Sequence, residues 1–165
     1  MMSRQSSRRA FLRDGVLAGT GLVILKDSRS LGSYEANEKV NVAIVGVSGR
    51  GSWFSKTIPN LSNVVAMCDV NDRRAEPYYQ AIPQAKTYHD FRRMLDEMDS
   101  EIDAITVATP DNTHAVISAA AIRRGKHVFC EKPLTHDIYE ARTLRTLAHQ
   151  HGVATQMGNQ GTASR

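Results

Sequence analysis

The chain has 165 residues, 41% of them hydrophobic and 23% charged, which suits one globular domain of ordinary composition and leaves little room for a second. Its formal charge of +4 is unevenly placed: residues 1–39 hold 7 Lys+Arg against 4 Asp+Glu, whereas residues 40–165 hold 14 against 13. A nearly neutral body lacks the basic stripe that a nucleic-acid face requires, so nucleic acid is excluded as an expected partner.

The basic surplus lies in Ser7-Arg8-Arg9-Ala10-Phe11-Leu12, which resembles the twin-arginine export signal. A modestly apolar, Gly-rich run from Gly15 to Leu25 follows, then a polar linker from Lys26 to Lys39. That run is about 11 residues, short of the roughly 20 needed to span a bilayer as a helix, so no permanent membrane span is expected. Residues 1–39 therefore read as a signal and linker. The expected destination is the periplasm, reached in the folded state with a cofactor already loaded, or the cytoplasm if the signal is not used.

From Val40 onward, short unbroken apolar runs alternate with helical patterns, the mark of βαβ units around a buried parallel sheet. The strands read as Val40 to Gly46, Val64 to Asp69, Lys86 to Tyr88, Ala104 to Ala108, Lys126 to Cys130 and Val153 to Met157. The first strand feeds a helix containing Trp53, Phe54 and Ile58. Phe91, Met94, Leu95 and Met98 fall at helical spacing after a candidate Asp90 N-cap. A helix from Asp111 or Asn112 runs through Val116, Ile117 and Ala120 to a stop at Gly125. Another begins after Thr135, carries Ile138, Ala141, Leu144, Leu147 and Ala148, and ends at Gly152. The pattern predicts an α/β, doubly wound, parallel-sheet Rossmann fold in one domain, residues 40–158. Cys68 and Cys130 then end strands three spacings, about 14 Å, apart, too far for a disulfide.

Several residues carry chemistry. Val42-Ala43-Ile44-Val45 runs into Gly46-Val47-Ser48-Gly49-Arg50-Gly51, a turn in which Gly46 and Gly51 fit the G-x-G-x-x-G pattern and Ser48 takes the middle glycine's place. Small residues there let backbone N–H groups approach a pyrophosphate, and a helix N-terminus beyond them favours an anion. Asp69 follows at the end of the second strand, placed to accept hydrogen bonds from the adenosine ribose hydroxyls, with helix capping as its other reading. Its charge favours NAD over NADP, a preference that Arg73 and Arg74 soften if they are more than a solvated helix face. Glu131-Lys132-Pro133 stands at the carboxyl end of the fifth strand, where open α/β sheets bind ligands. The histidines His89, His127, His136, His149 and His151 show no metal-ligand spacing, so no metal site is expected.

The ordered set Gly46-x-x-Gly49-x-Gly51, Asp69, Ala108-Thr109-Pro110-Asp111-x-x-His114 and Glu131-Lys132-Pro133 resembles the Gfo/Idh/MocA oxidoreductases over residues 40–161. The twin-arginine leader and Gln156 to Gly161 look like the exported bacterial branch. The resemblance implies that Thr109 and Pro110 lie beside the cofactor, that His114, opening the next helix, belongs with them to the cofactor-binding set, and that Lys132, the catalytic residue, hydrogen-bonds substrate near the nicotinamide. It implies Glu131 reaching cofactor or ribose, with Pro133, often cis in similar proteins, shaping the turn. Asp111 stands where Asn is more usual. Similar proteins carry a second α/β domain that supplies most of the substrate pocket, the usual catalytic His and a homo-oligomer interface. Residues 159–165 reach only the crossing into it. Three functions stay open: the NAD-binding domain of an oxidoreductase for a sugar, polyol or related hydroxyl compound, inactive or nearly so as this chain; part of an NAD-dependent glycosidase of the same family; and a non-enzymatic nucleotide-binding fragment.

Overall fold

Six parallel strands make one sheet in the computed structural model, which describes residues 39–159; the twin-arginine motif, its apolar run and the linker up to Glu38 lie outside the described residues, as do residues 160–165. The strands are β1 Asn41–Val45, β2 Asn63–Cys68, β3 Lys86–Tyr88, β4 Ala104–Val107, β5 His127–Glu131 and β6 Thr155–Gly158. Their order is β3-β2-β1-β4-β5-β6, all pairs parallel. The order reverses between β1 and β4, and that switch point is where a sheet of this kind opens a crevice for a ligand.

The strands read as continuous apolar runs because both faces are buried. Ala43 and Val45 of β1 join one core with Met94, Leu95, Ile117, Ala121 and Leu144, while Ile44 between them joins a second with Phe54, Met67, Ala75 and Ile82. The first core is built under α3 (Phe91–Glu97), α4 (His114–Ile122) and α5 (Ile138–His151), the second under α1 (Ser52–Thr57) and α2 (Asp72–Ala81). A buried Leu or Ile side chain contributes about 1.5–3 kcal/mol, so the two cores hold the sheet from both sides. Caps fix where the helices begin. Asp90 accepts from the Arg92 N–H, and Asp137 and Glu140 form a reciprocal capping box at α5, which ends at Gly152 with φ +64°.

Element boundaries shift from expectation by a residue or two for identifiable reasons. The Lys126 N–H donates to Ala121 O, which keeps Lys126 with the end of α4, while Glu131 pairs with Gly158 and extends β5. Val153 N–H donates to Ala148 O, so the chain is still closing α5 there, and β6 starts at Thr155. Helix α2 carries no apolar stripe to announce it: Ala75 is its one buried residue, and Pro77 sits inside it. Cys68, Val45, Val107 and Cys130 stand in one register row across β2, β1, β4 and β5, and both thiols are free and buried.

Candidate functional site

At the carboxyl end of β1 the chain turns back on itself through Gly46, whose φ is +80° and whose N–H donates to Cys68 O at 2.8 Å. A Cβ on Gly46 would lie 2.7 Å from Ala108 O, and one on Gly51 would lie 1.7 Å from Gly46 O. Neither separation is attainable, so both positions require glycine. Ser48 accepts the Gly51 N–H through its carbonyl at 2.9 Å, closing the turn. A 3-10 turn, Gly49–Gly51, leads into α1, which has only six residues. The anion attraction expected from a helix macrodipole is therefore small here, and the leading N–H groups of the turn are what a phosphate would meet.

Asp69 follows β2 and points back at this turn. Its Oδ2 accepts from Val47 N–H at 3.1 Å, Ser48 N–H at 3.3 Å and Ser48 Oγ–H at 3.2 Å, and its Oδ1 accepts from Asn71 N–H at 3.0 Å. The N-cap of α2 is Asn71, whose Oδ1 accepts the Arg74 N–H at 3.2 Å, so Asp69 is not the capping residue.

A cavity of about 860 Å³ opens between the ends of β1, β2 and β4. Its walls include the expected Gly46, Ser48, Gly49, Arg50, Asp69, Thr109 and Pro110, together with Arg74, His89, Phe91, Arg92 and Val116, which belong to no sequence motif. Thr109 Oγ1 accepts from the Thr113 hydroxyl at 2.7 Å, which braces the turn after β4. Cys68 also lines the cavity. Burial pushes its thiol up to about 12, and the carboxylates of Asp69 and Asp90 add to the shift, so it stands neutral and unreactive at physiological pH. Cys130 is pushed up to about 11 by burial.

Gly51, His114, Glu131, Lys132 and Pro133 lie outside the cavity wall. They are nevertheless tied to it. Arg50 Nε donates to Glu131 Oε1 at 3.0 Å, with the Glu131 side chain 4% exposed, and Lys132 N–H donates to Glu131 Oε2 at 3.3 Å. His114 is 1% exposed; its Nδ1 meets Pro133 O at 2.7 Å and its Nε2 meets Thr109 O at 2.8 Å. Its ring is thus spent on two backbone carbonyls and bridges the turns after β4 and β5. The Lys132-Pro133 peptide is cis, and Lys132 and Pro133 are exposed.

Residues 40–159 match the Gfo/Idh/MocA oxidoreductase family, described as having an NAD-binding Rossmann fold. The chain belongs to this family. Among relatives, it is 28% identical over 116 residues to a scyllo-inositol 2-dehydrogenase (NADP(+)) of Bacillus subtilis, covering 70% of this chain and 32% of that protein. It is 33% identical over 99 residues to an inositol 2-dehydrogenase of Salmonella paratyphi B, covering 58% of this chain and 29% of the relative. Among solved structures, GenD2 from gentamicin A biosynthesis, in complex with NAD, aligns with a TM-score of 0.68 at 28% identity, over 73% of this chain and 34% of that one. A myo-inositol 2-dehydrogenase from Lactobacillus plantarum aligns with a TM-score of 0.67 at 27% identity, over 73% and 36%. The chain spans about a third of the length of these relatives.

The residues fit the family's cofactor. The two enforced glycines bring backbone to the crevice at the switch point, and Asp69 stands at the end of β2 facing the same space. Among the described residues no group of three or more His, Cys, Asp or Glu is arranged to hold a metal ion, and no helix is long and apolar enough to cross a membrane.

Proposed function

We propose that residues 40–158 are the dinucleotide-binding part of an oxidoreductase that moves hydride between nicotinamide and a hydroxyl-bearing carbon of a sugar or polyol. The observation that carries this reading is the continuous set of contacts from the glycine turn, through Arg50 and Glu131, to Lys132 at the carboxyl end of β5. The inositol dehydrogenases among the relatives support the substrate class.

When bound, the nicotinamide supplies the hydride acceptor or donor. The chain's own residues do the rest. The Gly46–Gly51 turn receives the pyrophosphate, Asp69 orients the adenosine ribose, and Thr109 and Pro110 form the opposite wall. The Lys132 ammonium makes no hydrogen bond or ion pair among the described residues. It donates a hydrogen bond to the substrate oxygen and, in the direction of reduction, stabilises the negative charge that grows there as hydride reaches the carbonyl carbon. Because Lys132 and Pro133 are exposed, the described residues give a substrate one wall only, which neither excludes water nor fixes the reacting carbon. Turnover by this chain alone is accordingly low. The Ser7–Leu12 motif supports export of the folded, loaded protein.

Calorimetric titration of the chain with NAD tests the reading. Saturable binding is expected, and no heat at millimolar NAD would overturn it. Steady NADH formation from free polyols at ordinary enzyme rates would show that the site has more than one wall.

A further inference from the structure

We propose that a second copy of this chain covers the face of the sheet between α1 and β6, in a two-fold dimer in which each Trp53 seats in the other copy's groove. The core under α1 and α2 holds Ile44 of β1 with Val64 and Met67 of β2. Toward β4 and β5 it gains only Ala108 and Phe129, both partly buried. Beyond them the same face opens as a groove of about 480 Å³, with Thr106 and Phe129 in its floor, Trp53 and Leu61 on one rim and Ala154 and Gln156 on the other. The groove shares no residue with the nucleotide cavity, so the dinucleotide reading does not account for it.

The surface is apolar where it is exposed. Trp53 is 51% exposed, Leu61 68% and Val40 48%. The Trp53 ring is braced: it meets Phe54 edge to face at 5.2 Å, and Phe54 meets Phe129 in the same way at 5.4 Å, so an aromatic row runs from α1 onto β5. A half-exposed Trp backed by other rings, beside a groove, is the kind of residue that carries binding energy between proteins. Charge selects the occupant. Among the described residues that line the groove there is no Asp, Glu, Lys or Arg, in a chain of which 23% is charged. His127 accepts the Ala154 N–H through Nδ1 at 2.9 Å, the arrangement of a neutral ring. A nucleic acid, an acidic peptide or a basic segment would find no counter-charge here. A two-fold contact sets a patch against itself, so it needs a surface that does not repel itself and that carries both a ridge and a hollow. This face has both. Its polar groups, on Thr57, Ser62, Thr155 and Gln156, are hydroxyls and a carboxamide, each donor and acceptor, which can pair with their own kind across a two-fold axis.

Trp53 is the chain's single tryptophan, which makes the contact readable. Sedimentation equilibrium of the full chain from about 1 to about 100 μM is expected to show monomer and dimer exchanging, with a micromolar dissociation constant. Trp53 emission shifts to shorter wavelength over the same range, as water leaves its ring. Leu61→Glu and Val40→Glu, at positions exposed enough that the fold does not depend on them, each put an uncompensated carboxylate into the contact twice per dimer. Each is expected to weaken dimerisation by about tenfold or more. Ile138→Glu, at an apolar residue of α5 that is 71% exposed and outside the groove, leaves the constant within about twofold. A monomer at every concentration overturns the proposal; short-wavelength Trp53 emission in that monomer would show that a part of the same chain covers the face. A dimer that survives both charged variants, or that Ile138→Glu weakens equally, overturns it by placing the contact elsewhere.

Discussion

Arg50 and Glu131 are joined by a 3.0 Å ion pair that crosses from the turn after β1 to the end of β5, so the phosphate-facing loop and the Glu-Lys-Pro turn are one mechanical unit. Arg50 is half exposed while the Glu131 carboxylate is 4% exposed, which makes the acid the member that depends on the contact. Arg50→Ala is expected to lower stability by about 1 kcal/mol, a charged hydrogen bond discounted for the exposed partner. Urea unfolding measures this. The same variant is expected to weaken NAD binding, because the loop loses its brace; unchanged stability and affinity together would show that the pair carries nothing.

His114 offers a sharper separation of roles. Its ring bridges Thr109 O and Pro133 O from a site that is 1% exposed, and it lies outside the cavity wall. His114→Leu keeps the bulk and removes the ring nitrogens; with one ring proton the imidazole donates to one of the two carbonyls, so the expected cost is about 1–3 kcal/mol. At a temperature where the variant is still folded, its NAD affinity is expected to fall by less than about threefold. A large affinity loss with unchanged stability would return His114 to the cofactor-binding set implied by the family resemblance.

How much of this is legible in the sequence depends on whether a role demands a residue type or only a position in space. The glycine turn is legible because only glycine tolerates the 1.7 Å and 2.7 Å approaches at Gly51 and Gly46, and Asp69 because a strand-end carboxylate follows the turn at a set interval. The parallel, doubly wound sheet follows from apolar runs separated by helical periods. Arg73 and Arg74 are both named by their nearness to Asp69, but α2 has one buried residue and an internal Pro77, so no periodicity separates Arg74, which lines the cavity, from Arg73, or marks Asn71 as the cap. The Arg50–Glu131 pair joins residues 81 positions apart, and the orientation of the His114 ring is set by two carbonyls on different loops. Neither relationship leaves a local pattern.

The two thiols give a pH prediction. Burial raises Cys68 from an ordinary 9.0 to about 12 and Cys130 from 9.0 to about 11. The folded state therefore holds protons that the unfolded chain releases above pH 9.0, and stability falls as pH rises from there toward about 11 and 12. Below pH 9.0 both states keep the protons and the thiols contribute no slope. Denaturant midpoints measured across this range should decline for the unchanged protein and decline less for Cys68→Ala. At neutral pH both thiols should resist a disulfide reagent until denaturant is added; rapid labelling of the native chain would contradict their burial.

Two glycines separate backbone conformation from close approach. Gly152 ends α5 with φ +64°, and a Cβ there would meet nothing within 4 Å, so Gly152→Ala should cost only the left-handed backbone penalty, about 1 kcal/mol, and leave NAD affinity unchanged. Gly51 has an ordinary right-handed φ of −65°, yet its Cβ would fall 1.7 Å from Gly46 O. Gly51→Ala must therefore open the turn that packs against Ala108, at about 3 kcal/mol, and reduce NAD affinity by at least about tenfold. Thermal unfolding and calorimetry of the pair decide the point. Equal stability losses with equal affinities would mean that the turn closes for reasons other than the approach of Gly51 to Gly46.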